Sequence, residues 1–201
     1  MQNNFYAMLS RMKYIDRWAL MRNSYTENIS EHSLEVSILT HALCVIGNKR
    51  LGKNLNAEKA VLIALYHDAS EIITGDMPTP IKYLNKDIKG AFKEIEAKAN
   101  RKLLDMLPDD MRPDYEELFF PDKTLEYEMK LVKAADKLSA LIKCIEEEKT
   151  GNTEFKSAGR TLEASIEEMW LEEAKIFMAE FLPSYHLTLD DLNRNQIDSE
   201  N

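Results

Sequence analysis

The sequence predicts an all-α fold, a single-domain helical bundle, and three observations point there. Apolar residues recur at spacings of three and four along nearly the whole chain. Period-two alternation appears only in the short stretch 185–189. The breakers, 6 Gly and 6 Pro in 201 residues, fall largely between the periodic segments.

Each element follows from this pattern. Over 30–47, His32, Val36, Leu39, Leu43 and Ile46 step onto one face. Ser30 serves as N-cap, and Glu31 meets the helix dipole in the first turn. The polar, turn-rich segment 47–56 predicts a surface loop, after which Asn56 caps a helix over 57–74 that Gly75 ends. Residues 76–80 cannot continue it, because Pro78 and Pro80 lack donors and push their predecessors toward extended backbone, so a stiff loop is expected. Helices follow over 87–107, 109–118, 124–149 and 160–181, with breaks at Pro108, Pro121, Gly151 and Pro183. Residues 1–190 read as one domain and 191–201 as a polar, frayed tail.

Charge narrows the function. Lys and Arg total 26 against 35 Asp and Glu, a net charge of −9. Sequence-independent affinity for nucleic acid or anionic lipid needs clustered positive charge, so neither nucleic acid nor membrane is an expected partner. No apolar run reaches bilayer length and the N-terminal residues lack the order of a secretory signal, so a cytoplasmic protein is expected. Cys44 and Cys144 sit in apolar helical patterns without a neighbouring cysteine and read as buried, reduced thiols.

The chemistry lies where titratable groups interrupt apolar faces. His67, Asp68 and Glu71 break the apolar run that begins at Ala60, and on a continuous helix His67 and Glu71 share a face while Asp68 is rotated by about 100°. His32 heads the apolar stripe of its helix, and Asp136 falls with Met129, Val132 and Ala140. A lone core histidine is ordinarily a hydrogen-bonded packing residue, and Asp136 beside Lys133 and Lys137 reads alone as a solvated charge. Together, two imidazoles and two carboxylates on apolar faces make a four-ligand set whose charges neutralise one divalent ion. His41 lies off the stripe and reads as partly exposed, and His186 as a packing residue.

His32, His67-Asp68 and Asp136 resemble the ligand set of the HD-domain metal-dependent phosphohydrolases. Within that superfamily the chain resembles the bacterial 5′-deoxynucleotidases, through Arg17-Trp18, residues 27–33, the block 66–83, residues 133–136 and residues 181–187. The resemblance implies a helical bundle of the HD-domain type that hydrolyses deoxyribonucleoside 5′-monophosphates. It implies His32, His67, Asp68 and Asp136 as ligands of one divalent transition metal: Co, Mn, Fe, Ni, Cu or Zn. Glu71 becomes the catalytic carboxylate and Arg17 the group that orients the phosphate. Trp18 presses on the sugar near its 2′ position, and Asp76, Met77, Pro78 and Thr79 form the substrate loop. His32, Asp68 and Asp136 border the substrate as well. A homodimer is implied too, for which Leu162, Ile166, Met169, Trp170, Phe177 and Phe181 offer apolar surface unless they close the monomer core. The competing readings are hydrolysis of another nucleotide phosphate ester and a nucleotide-sensing protein without turnover. Against the alarmone hydrolases of the superfamily, Ile72 stands where a second acid follows the glutamate.

Overall fold

The computed structural model describes residues 3–78, 81 and 85–197, and among them the regular elements are helical. A short α1 (Phe5–Leu9) runs into a 3₁₀ turn at Ser10–Tyr14. Next comes an irregular strap whose two ends pair with each other: Arg17 N donates to Glu27 O (2.9 Å) and Ile29 N to Ile15 O (3.0 Å). The strap leads into α2 (Ile29–Arg50). Its cap is Asn28 rather than the expected Ser30. The Asn28 side chain accepts from the Ser30 and Glu31 amides while Glu31 accepts from the Asn28 amide, a reciprocal box that satisfies three donors.

The helix expected over 57–74 is interrupted. α3 (Ala57–Tyr66) stops before His67, and α4 (Glu71–Thr74) begins four residues on. Between them the amides of His67, Ala69 and Glu71 donate to Ala64, Tyr66 and Asp68, the tighter i→i−3 pattern of turns. Gly75 then adopts φ 73°, a region where an L side chain is strained, and the chain leaves for the loop at Asp76.

The remaining helices are α5 (Lys86–Leu104), α6 (Arg112–Phe119), α7 (Glu126–Lys149), α8 (Lys156–Glu167), α9 (Glu172–Glu180) and α10 (Leu189–Ile197). The helix expected over 160–181 is therefore two, bent at Trp170, whose φ is 53°. Residues 185–189 do not form a strand: a 3₁₀ turn occupies Leu182–His186, Leu187 beyond it is extended, and a helix begins at Leu189. Residues 191–197, expected to fray, continue α10.

α7 is the axis of the bundle, with α2, α3, α8 and α9 packed on it. Leu131, Leu138 and Ile142 of α7 meet Val36, Leu39 and Leu43 of α2, Ile63 of α3 and Leu103 and Leu104 of α5 in one core. Each such side chain contributes about 1.5–3 kcal/mol when fully buried. Ile166 and Phe177 join this core, and Leu162 and Met169 pack against it. Most of the apolar residues of the C-terminal segment thus close the monomer, and only Trp170 and Phe181 of that set remain exposed. Cys44 and Cys144 are buried free thiols, as expected. Among the described residues no helix is long and apolar enough to cross a membrane.

Candidate active site

The site gathers at the junction of four segments: the start of α2, the middle of α7, the turn after α3, and the strap. His32 is fully buried, as the apolar stripe predicts. Its Nε2 lies 3.1 Å from Asp136 Oδ1 and 3.6 Å from Asp68 Oδ2. His67 Nε2 lies 3.1 Å from the same Asp68 oxygen. The His32 and His67 rings are 5.3 Å apart between centroids.

The far side of each imidazole is tied down. His67 Nδ1 donates to Ala64 O at 2.7 Å, a bond that the break after α3 makes possible. His32 Nδ1 meets Ser139 Oγ at 3.0 Å, and that hydroxyl donates its single proton to Glu35 Oε2 at 2.5 Å. The Ser139 oxygen is then the acceptor from His32 Nδ1–H. Both Nδ1 protons are committed outward, which leaves both Nε2 lone pairs aimed at carboxylates. Such an array requires a cation at its centre. Accordingly His67 Nε2 is a buried polar atom without a hydrogen-bond partner, and the donor atoms of His32, His67 and Asp68 all lie within 4.8 Å of one another. Two imidazoles and a carboxylate at this spacing fit a divalent ion with bonds of about 2.0–2.2 Å, and Asp136, 3.1 Å from His32 Nε2, borders that group of three without belonging to it.

Electrostatics in the ion-free cluster register the same demand. Burial works against a charged His67, but Asp68 and Asp136 outweigh it and hold the imidazole at about 9. Burial likewise raises Asp68, and His67, His32 and Arg17 more than reverse this, so its carboxyl lies well below the usual range. Asp136 is lowered in the same way, chiefly by His32 against the effect of burial. Glu35, outside the cluster, is pushed by burial up to about 7 although the bond from Ser139 lowers it.

Arg17 is not a surface arginine. Its Nε donates to Glu27 at 3.0 Å and its Nη1 faces Asp68 at 3.6 Å. Burial disfavours its charge, but Asp136, Asp68, Glu27 and Asp76 raise its pKa further. Trp18 takes φ 58°, which costs on the order of 1–2 kcal/mol for a bulky residue. Its Nε1 donates to Glu27 at 3.1 Å and its ring lies 5.3 Å from that of buried Phe155. Glu71 is buried at the start of α4, joined to the turn that carries His67 and Asp68 by the hydrogen bond from its amide to Asp68 O (2.9 Å). It follows a turn, not a continuous helix, so the shared helical face expected for His67 and Glu71 does not exist. Asp76, Met77 and Pro78 are half-buried beyond Gly75, and Thr79 lies outside the described residues. His41 and His186 are both exposed, the second contrary to expectation.

Sequence reasoning missed Glu27, Glu35, Ser139 and Phe155. Ser139 carried a usable signal, since three residues after Asp136 it shares that face of α7. Nothing local marks Glu27, because its partners come through loop pairing.

A helical bundle that brings His32 and the His67-Asp68 pair together, with Asp136 against His32, has the architecture of the HD-domain phosphohydrolases. An HD-domain phosphohydrolase from Listeria innocua superposes with a TM-score of 0.78 at 25% identity, over 90% of this chain and 88% of that one. More particularly, the chain belongs to the family described as 5′-deoxynucleotidase YfbR-like, whose profile matches residues 4–185. The 5′-deoxynucleotidase YfbR of Salmonella paratyphi B is 49% identical over 194 residues, covering 96% of this chain and 98% of that protein. A cyanophage S-2L HD phosphohydrolase (DatZ), solved with dA and one catalytic Zn²⁺, shares the fold at a TM-score of 0.65 and 22% identity, over 90% of this chain and 96% of that one.

Proposed function

We propose that this chain is a metal-dependent 5′-deoxynucleotidase, releasing inorganic phosphate from deoxyribonucleoside 5′-monophosphates and leaving the deoxyribonucleoside. The observation that carries the reading is the convergence of His32, His67, Asp68 and Asp136 beside the Arg17 guanidinium, within a chain of this family. These four residues would hold one divalent ion. When bound, the ion lowers the pKa of water toward neutrality and polarises a phosphoryl oxygen.

The chain's own residues supply the rest. Arg17, held through Nε and with Nη1 facing Asp68, turns its guanidinium toward the site, where its planar fork suits recognition of a phosphate. Glu71 takes the proton of the attacking water or delivers one to the departing 5′-oxygen as the P–O5′ bond breaks, a role worth about 10²–10⁴-fold. Trp18 packs against the sugar near C2′, where it disfavours a ribose hydroxyl, and Asp76, Met77, Pro78 and Thr79 supply the substrate loop. His32, Asp68 and Asp136 border the phosphate as they hold the ion.

The test is phosphate release from matched deoxy- and ribonucleotides after chelation and after each metal is added back. Activity is expected to return with metal and to favour deoxynucleotides. Glu71→Gln is expected to keep its metal and lose about 10²-fold or more in turnover. Release from no monophosphate under any metal excludes the reading, and undiminished turnover in Glu71→Gln removes that residue from it.

A second copy is the best partner for the outer face of α2 and α3. Leu34, Ile38 and Val45 of α2 and Leu62 and Leu65 of α3 are exposed. α2 and α3 pack directly on one another, and Ser37 Oγ approaches Val61 O at 3.5 Å between them. An apolar face of this kind marks an interface rather than bare solvent contact. Sedimentation at micromolar concentration is expected to give a dimer, and Ile38→Asp a monomer; a monomeric wild type overturns the homodimer. We place the protein in the cytoplasm, consistent with its buried reduced thiols.

A further inference from the structure

Phosphate orientation and sugar discrimination are assigned to adjacent residues, Arg17 and Trp18, and both side chains end on the same atom. Glu27 Oε2 accepts from Arg17 Nε at 3.0 Å and from Trp18 Nε1 at 3.1 Å. Glu27 is buried at 6% exposure, so little solvent competes for its carboxylate. Its backbone carbonyl also accepts from the Arg17 amide, and Asn28, the next residue, caps the helix that carries His32. Glu27 is thereby fixed to the metal-ligand framework on one side and to the substrate-facing pair on the other. Trp18 needs such a tether, because its backbone sits at φ 58° and nothing in its own conformation favours the position.

We propose that Glu27 is a positioning residue that sets the Arg17 guanidinium and the Trp18 indole together, coupling phosphate placement to discrimination at the 2′ carbon. This rests on the deoxynucleotidase reading. One acceptor atom serving two donors means that removing the carboxylate frees both side chains at once. A purely structural glutamate would lower activity on deoxy- and ribonucleotides alike; a coupling glutamate changes their ratio.

The experiment measures kcat/KM for dAMP and AMP with metal-loaded wild type, Glu27→Ala, Glu27→Gln, Trp18→Phe and the Glu27→Ala, Trp18→Phe double variant. Glu27→Ala is expected to lose at least about tenfold on dAMP and at least about tenfold in the dAMP/AMP ratio, the scale of a lost charge-assisted hydrogen bond. Glu27→Gln, whose amide oxygen can accept both bonds, is expected to recover most of the ratio. Trp18→Phe keeps an aromatic ring without the N–H and is expected to lower the ratio alone, after which Glu27→Ala lowers it no further. A wild-type ratio in Glu27→Ala or in Trp18→Phe overturns the proposal, and if Glu27→Ala does not fold, Trp18→Phe decides it. Failure of the underlying reading looks different, since wild type then releases no phosphate from dAMP.

Discussion

Asp68→Ala is expected to lose its metal and at least about 100-fold in phosphate release, since removing even an outer partner of a metal ligand typically costs 10–100-fold. The reason is the number of groups that one oxygen serves. Asp68 Oδ2 lies 3.1 Å from His67 Nε2, 3.6 Å from His32 Nε2 and 3.6 Å from Arg17 Nη1. Without it the two imidazoles face each other with Asp136 as the carboxylate left on His32, while Glu27 still holds the guanidinium. A second positive charge, the metal, then has half of its compensation. Asp68→Asn is expected to do little better, because a neutral amide restores the shape and not the charge. Elemental analysis and phosphate release check this, and a thermal scan adds an independent readout. A metal at 100 times its Kd stabilises wild type by about 2.7 kcal/mol, a shift the variant should lack. Normal metal content in Asp68→Ala would remove this residue from the ligand set.

The largest stability effect is expected at the opposite end of the strap. Glu147 and Lys143 are both buried and meet at 2.5 Å one turn apart on α7. Glu147 also accepts from the Ser24 amide (2.9 Å to Oε2) and from Asn152 (2.8 Å), while Lys143 donates to Tyr25 O at 2.8 Å and lies over the Tyr25 ring. The pair therefore clamps the strap, and with it Arg17 and Trp18, onto the axis of the bundle. Glu147→Leu strands a buried ammonium and the Ser24 amide, a loss of about 3–5 kcal/mol. For a chain of this size that corresponds to a fall in Tm of about 6–20 °C by calorimetry. Replacing Lys143 by Met in the same chain is expected to recover part of it, because an apolar pair removes the stranded charge.

The pH dependence has a definite sign. Burial opposes ionisation of Glu147, but the bonds from Lys143, Asn152 and Ser24 outweigh it and hold the carboxyl at about 2, against an ordinary 4.5. A lowered carboxyl contributes fully above its unfolded value and loses that contribution as pH falls from there toward about 2. Wild type should accordingly lose more stability on acidification than the double variant. A Tm for Glu147→Leu within about 2 °C of wild type would show that the clamp is not needed.

The amino-acid sequence alone determined the helical class, the inward turn of His32 and the residue types able to hold a metal. These are legible because burial on a helix leaves a period of three and four, and a charged or imidazole group interrupting that period stands out. The same rule failed where periodicity ran on through a bend. The apolar run before His67 continues smoothly, yet the helix stops at Tyr66, and only the resulting turn lets His67 Nδ1 reach Ala64 O while Nε2 and Asp68 face the site. A period reports which side of an element is buried and says nothing of where hydrogen bonds switch from i−4 to i−3.

Glu27 shows the limit most clearly. Ten residues separate it from Arg17, with no period linking them, and their two bonds exist because residues 15–17 and 27–29 pair across an irregular loop. Tertiary structure decided that contact, the Ser139 link to Glu35 behind His32, and the bonds that Ser24 and Tyr25 make to the Lys143–Glu147 pair, since each joins partners whose proximity depends on how the chain folds back or how α2 lies against α7, whereas Lys143 and Glu147 themselves meet by helical spacing alone. The sequence settled which groups would be buried; the packing of the helices settled which atoms those buried groups would meet, because a buried polar atom takes its partner from whatever the fold brings within about 3 Å.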